Sequence, residues 1–379
     1  TRTPPFVAAI HTARRATRAL AFAALAALLA ACGDDPAGPA APAVRFADCV
    51  AVTAYSPTSG WRATCPPAAH VDSALLRAAY VQAPHALPSV LSLLIVRHGW
   101  IVGENYYNGA RATSAFEMRS VTKSVTSALT GAAIQQGVLD SAGHKLSDLL
   151  PDYFPASTDP RKFDITLRHL LSMEAGWSPD APLPNVNPYV AALIGRDLAT
   201  APGTAWNYDD GTYHILAAAL DRATGRNLFG FATDHLFTPL GVTVDAWNWI
   251  VDEQGIPVGS GGLALTARDM AKLGELYLRD GVWDGQRILP AGWVDSSWVA
   301  RASGTETVPT TYGYGWWGHT EGSHAYHYAL GFGGQFIVVV PDLDLVVVLT
   351  ANPYTPDSAP VDHFRALLRD QILPAILPE

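Results

Sequence analysis

Two stretches of strand-like sequence stand near opposite ends of the chain, and a mostly helical stretch at 120–259 separates them. At the first end, residues 93–96 and 100–107 flank His98-Gly99, a pair suited to a hairpin turn. At the second, residues 336–340 and 345–350 are rich in β-branched side chains. Pro341-Asp342-Leu343-Asp344 joins them, so they are expected to pair as a hairpin. Strand-poor sequence between two strand-rich ends points to one sheet drawn from both, with a helical lobe inserted. Residues 264–279 read as an amphipathic helix and 361–373 as a closing helix, while 178–188 is a Pro-rich loop. The expected fold class is therefore α/β (α+β), an antiparallel sheet flanked by helices plus an all-helical lobe.

Within the insertion lies Ser120-Val121-Thr122-Lys123. Val121, Val125, Ala128, Leu129 and Ala132 follow at helical spacing, and Gly137 is a natural stop. Positions i and i+3 share one helix face, so Lys123 can reach the Ser120 hydroxyl. A serine needs a neighbouring base to become a nucleophile, and burial disfavours the ammonium form of a lysine. Ser120 also stands where the helix begins, near free N–H groups and the positive end of the dipole. The alternative is a capping serine beside a surface lysine.

Other segments extend the pattern. Pro202-Gly203-Thr204-Ala205-Trp206-Asn207-Tyr208-Asp209-Asp210-Gly211 precedes a helical run at 213–223, and Ala329-Leu330-Gly331-Phe332-Gly333-Gly334-Gln335 leads into the late strands. Ser-x-x-Lys, then a tyrosine motif, then a glycine-rich turn resembles the serine β-lactamase and penicillin-binding protein superfamily. Its class C-like branch, with family VIII carboxylesterases and 6-aminohexanoate-dimer hydrolases, is the nearer match. Ile95-Val96-Arg97-His98-Gly99, His169-Leu170-Leu171-Ser172-Met173-Glu174-Ala175-Gly176 and Gly261-Gly262-Leu263-Ala264-Leu265-Thr266-Ala267-Arg268-Asp269-Met270 are similar to further blocks of that branch. The resemblance runs from about residue 90 to the C-terminus. It implies a β-lactamase/transpeptidase-like fold with the site in the cleft between an α/β domain (46–118 and 262–379) and a mainly helical domain (119–261).

The resemblance also implies roles. Ser120 is the nucleophile, Lys123 its partner, and Tyr208 shuttles a proton to the leaving group. The amides of Ser120 and Phe332 form the oxyanion hole, with Gly331 opening the turn to a ligand. Tyr189, Trp177 and Trp206 are candidates to line the cleft, or ordinary core aromatics. Two departures stand out. Asp210 fills the third position of a motif that usually reads Tyr-x-Asn or Tyr-x-Ser, and an ionised carboxylate there favours charged Lys123. Asp210 could equally be a solvated turn residue. The Lys-Thr-Gly triplet is missing, with Ala329-Leu330-Gly331 in its register. In β-lactamases that lysine helps hold the substrate carboxylate.

The first 31 residues read as a signal peptide: Arg14, Arg15 and Arg18 precede an apolar run at 19–31. Leu29-Ala30-Ala31-Cys32 resembles a lipobox, so Cys32 is the expected lipidation site; an ordinary secretory signal is the other reading. Residues 32–45 read as a flexible tether. Cys49 and Cys65 are expected to form a disulfide in an oxidising compartment, two buried thiols being the alternative. The chain sums to −9, and its first 31 residues hold four Arg and no acid, which leaves −13 on the rest. That balance disfavours nucleic acid and anionic lipid, so no nucleic-acid partner is expected, and membrane contact is expected only through a lipid anchor in the bacterial cell envelope. His319, His324 and His327 lie close in sequence without a metal-ligand spacing, so neither metal nor cofactor is expected. The expected activity is a metal-free serine hydrolase that acts through a Ser120 acyl-enzyme. Its expected substrates are small esters first, linear amides second and β-lactams weakly. A cell-wall-binding or sensing lipoprotein with slow turnover is the alternative.

Overall fold

The computed structural model describes residues 44–178, 189–225, 227–243, 247–303, 310–355 and 360–378. The expected signal peptide, Cys32 and nearly all of the tether and of the Pro-rich loop lie outside the described residues.

Both ends of the chain do build one sheet. Its strands are β1 (Val90–Arg97), β2 (Trp100–Tyr106), β3 (Ala302–Ser303), β4 (Thr311–Tyr312), β5 (Trp317–Glu321), β6 (His324–Gly331), β7 (Gln335–Val340) and β8 (Leu345–Ala351). They lie in the order β2-β1-β8-β7-β6-β5-β4-β3, so the first hairpin joins the last through β1 and β8. That pairing is antiparallel, with Ile95 opposite Val347. His98 and Gly99 take positive φ at the first hairpin and Asp344 does so at the last, as tight turns with right-handed strands require.

Strands β7 and β8 are buried along their whole length, which explains their unbroken apolar runs. One face, with Leu93, Ile95, Phe336, Val338 and Val347, packs on α1 (Ser73–Ala86) and α7 (Pro360–Leu367). The other, with Leu94, Val96, Ile337, Val339 and Val346, shares a core with the insertion and with α6 (Ala267–Leu278). Helix α6 comes so close that a Cβ on Gly274 would lie 2.6 Å from Val346 Cγ1. The insertion supplies α2 (Thr122–Gln135), α3 (Leu167–Leu171), α4 (Tyr189–Gly195) and α5 (Asp210–Ala223).

Two expected boundaries are corrected. Residues 264–266 are strand rather than helix: Leu263–Thr266 pairs with Ala115–Glu117 and with Asn248–Trp249. Thr266 then caps α6 by accepting from the Asp269 amide at 3.1 Å, and this β-branched cap is what divides strand from helix. Helix α5 starts at Asp210, earlier than the apolar pattern predicts, because Asp209 caps it. Near the chain ends, Cys49 and Cys65 form a disulfide. Arg97 of β1 donates to the carbonyls of both His70 and Leu377, so one buried guanidinium ties early chain to late chain.

Glu275, on α6, is buried beside Arg279 and Asp344, and burial pushes its carboxyl up to about 7. Between the ordinary carboxylate range and pH 7 the folded state therefore binds a proton that the unfolded chain has released. Its contribution is present below the unfolded value and is lost as pH rises through 7. Glu275→Gln is expected to be more stable than the parent at pH 8 by roughly 1–3 kcal/mol and near parity at pH 4.5. Urea denaturation at the two pH values checks this; a gap that does not widen with pH would refute it.

Candidate active site

The turn that carries Ser120 is held from two sides and closed on itself by a bond of its own. The Met118 amide donates to Leu263 O at 2.8 Å, tying it to the small sheet, and the Val121 amide donates to Met118 O at 3.1 Å. From the large sheet, Gly331 at the end of β6 comes so near that a Cβ there would lie 2.3 Å from Met118 O. Only glycine fits this approach. Arg119 adopts φ +50°, a conformation that costs a bulky residue energy and persists only where the surroundings impose it. Ser120 follows in a single 3-10 turn, Arg119–Val121, before α2 begins at Thr122.

Lys123 is 1% exposed, and its amine has three partners. Nζ lies 2.9 Å from Ser120 Oγ, 2.6 Å from Asp210 Oδ1 and 3.1 Å from the Ser260 carbonyl. Asp210 is the first residue of α5, so its carboxylate also meets the positive end of that helix. Asp209, the adjacent cap, is held differently. Burial pushes its carboxyl up, but the Arg196 guanidinium, Thr212 and the Gly211 amide outweigh this and hold it low.

Tyr208 stacks on Trp317 (5.9 Å, 24°), meets Tyr312 edge-on at 6.1 Å and places its ring centre 4.8 Å from Lys123 Nζ. It is partly exposed, whereas the nearby Tyr213 and Tyr312 are buried and their phenols are pushed far up by desolvation. Among these three phenols, Tyr208 is the one a ligand can reach. Trp206 belongs to the same aromatic group, 5.8 Å from Tyr312.

The β6–β7 ladder ends at the Gly331–Gln335 pair, and Phe332 is the first residue beyond it, 73% exposed. Gly333 and Gly334 take φ +79° and +99°, and the buried Gln335 amide bonds both ways to Ala351 to pin the turn. Ala329 points into the core shared with the helical insertion, with no cationic side chain in its place.

Tyr189 packs on His214 at 5.2 Å and stands within electrostatic reach of Asp209 and Asp210, while Trp177 is buried under Arg196. The three histidines do not converge: His319 meets Arg365, His324 pairs with Asp342, and His327 stacks on Trp298 at 4.2 Å. Burial lowers His327 to about 4. Among the described residues no three metal-capable side chains cluster.

The sequence reading missed the 249–262 loop. Asp252 accepts from His214 (2.9 Å) and from the Gln254 and Ile256 amides, which anchors the loop tip on α5. Thr126 Oγ1 donates to Gly259 O at 2.8 Å, and Ser260 O then faces Lys123. The glycine run 259–262 was the available signal, since a Cβ on Gly259 would lie 2.2 Å from Tyr213 O.

A family model described as "Beta-lactamase" matches residues 78–371, which takes in the sheet, the helical insertion and every group around Ser120. The chain belongs to the β-lactamase family. A 6-aminohexanoate-dimer hydrolase of Paenarthrobacter ureafaciens is 25% identical over 301 residues, 70% of this chain and 74% of its own length. Penicillin-binding protein 4 of Amycolatopsis lactamdurans is 28% identical over 298 residues, 67% of this chain and 76% of its own. A solved family VIII carboxylesterase shares the fold with a TM-score of 0.63 at 16% identity, covering 80% of this chain and 98% of its own. This β-lactamase-family chain is a serine hydrolase.

Gly259→Ala should force the loop off Tyr213 and carry the Ser260 carbonyl away from Lys123. Hydrolytic kcat is expected to fall about tenfold or more, the scale of a misplaced catalytic group. Far-UV circular dichroism should stay unchanged. Full activity in a folded Gly259→Ala protein would show that the carbonyl does not matter.

Proposed function

We propose that the chain hydrolyses small esters through an acyl-enzyme on Ser120, accepts linear amides less well and turns over β-lactams weakly. The observation that carries this is the buried Lys123 amine 2.9 Å from the Ser120 hydroxyl. An ammonium has three N–H donors, and here three acceptors surround it. Lys123 then serves as a fixed positive charge beside the nucleophile, and the Ser120 proton leaves by Tyr208. In acylation Oγ bonds to the carbonyl carbon and the π pair moves onto an oxygen facing the Ser120 and Phe332 amides. As the pair returns and the carbon–oxygen bond of the ester breaks, Tyr208 relays the proton: its oxygen takes the Ser120 hydroxyl proton while its own phenolic proton passes to the leaving oxygen, which departs as the alcohol. Water repeats the sequence on the acyl-enzyme.

The weak β-lactam activity rests on Ala329, where the family's β-lactamases carry a lysine. The hydrolase and carboxylesterase named above favour the ester and amide reading. The Asp210 contact also favours a second reading, a slow-turnover cell-wall-binding protein, because it engages the lysine so tightly. A fluorophosphonate probe separates the two: labelling with ester turnover marks the enzyme, and stable labelling without turnover marks the binder. Lipid anchoring at Cys32 in the cell envelope remains part of this proposal and rests on residues 14–32 alone.

Ser120→Ala should abolish both labelling and ester hydrolysis; turnover retained in the purified variant would overturn the nucleophile. Lys123→Ala and Tyr208→Phe should each lower kcat by about 10²-fold or more, with a double mutant well short of the product. Fully multiplicative losses would show that the Lys123 charge and the Tyr208 relay do not act on one proton transfer.

Nitrocefin should be a poorer substrate than p-nitrophenyl butyrate by kcat/KM. Equal values for the two would overturn the substrate ranking and leave the nucleophile standing.

A further inference from the structure

Two cations flank the nucleophile in sequence, Arg119 and Lys123, and each has a carboxylate against it. Lys123 has Asp210 at 2.6 Å. Arg119 Nε lies 3.0 Å from Glu117 Oε1, with both side chains about a quarter to a third exposed. The second Glu117 oxygen accepts from the Tyr354 hydroxyl at 2.6 Å. The Arg119 guanidinium sits 4.9 Å from the centre of the same Tyr354 ring. Glu117, Arg119 and Tyr354 thus close on one another, and both carboxylate oxygens are engaged.

This trio stands at the mouth of the site. Arg119 precedes Ser120 directly. Tyr354 follows Pro353, on which the Phe332-Gly333 turn rests: a Cβ on Gly333 would lie 2.5 Å from Pro353 Cα. Tyr354 is 75% exposed and Phe332 73%, an apolar rim that a chain does not need for its core. A free arginine here would supply the positive charge that draws a carboxylate, in a bidentate fork suited to it. Glu117 cancels that charge, and the net −9 of the chain adds to the repulsion.

We infer that Glu117 is a specificity-determining residue: by pairing with Arg119 and tethering Tyr354 it selects uncharged acyl donors and turns away those bearing a carboxylate. This rests on the hydrolase reading above. Selection here works by an element placed against the wrong ligand, not by one added for the right ligand.

The test compares kcat/KM for phenyl acetate with that for two anionic analogues, 4-acetoxybenzoate (charge on the leaving group) and phenyl hydrogen succinate (charge on the acyl group). The readout is the anionic-to-neutral ratio. Glu117→Gln uncovers the arginine and should raise the ratio for at least one analogue by roughly threefold to tenfold, the scale of a partly exposed charge pair. Arg119→Gln leaves the carboxylate alone and should lower it. Both shifts should shrink between 0.05 and 0.5 M NaCl. A merely structural role would not move the two variants in opposite directions. Unmoved ratios, or ratios moving the same way, with Ser120 still labelled by fluorophosphonate, would overturn the inference and leave the hydrolase reading intact. Failure of the parent protein to be labelled and to cleave any of the three esters would overturn both. A check on the parent protein needs no variant: benzoate should inhibit phenyl acetate turnover about tenfold more weakly than benzamide, and equal inhibition would overturn the inference.

Discussion

The structure turns on one buried amine. Lys123 Nζ draws a hydroxyl from its own helix start, a carboxylate from the first turn of α5 and a carbonyl from the 249–262 loop. A buried amine left without partners is costly, and this arrangement of the three elements supplies one acceptor from each. The glycines at 259 and 331, the cap at Asp209 and the positive φ of Arg119 all serve that convergence. Remove the lysine and each of these local strains loses its compensation.

The sheet matters to the site mainly as a rigid edge. Strands β7 and β8 are covered on both faces, and α6 is pressed on them through Gly274. The neighbouring β6 ends at Gly331 against Met118 O, so its end is delivered to the Ser120 turn by packing far from the chemistry. A site assembled from a sheet end and two helix starts needs little help from flexible loops. The exception is the 249–262 loop, and it is fastened by Asp252 to His214 and by Thr126 to Gly259 O.

Features governed by local pattern were legible in the sequence. The two hairpins, α2 with its glycine stop, and the Ser120–Lys123 spacing follow from periods of 2 and 3.6 and from turn chemistry. The strand at 263–266 was hidden because its apolar residues also suit the helix that follows. The Ser260 carbonyl was hidden for a different reason: a backbone oxygen has no letter in the sequence. Glu117, Arg119 and Tyr354 could not be grouped, since Tyr354 stands 237 positions beyond Glu117 and only the fold brings them together. The histidines at 319, 324 and 327 show the converse, residues near in sequence that packing sends to different neighbours.

The pairing of β1 with β8 bears on how this protein is made. Residues 90–97 leave the ribosome about 250 residues before their partners at 345–351 exist. At typical synthesis rates that is tens of seconds during which an apolar strand pair, β1 with β2, lacks its β8 edge, and α7, part of one covering layer, comes later still. The helical insertion, whose contacts are more local, can consolidate meanwhile, but the sheet is closed only at the end of translation. The early hairpin is therefore the segment most in need of a chaperone, and a chain released early would present that bare edge to its neighbours.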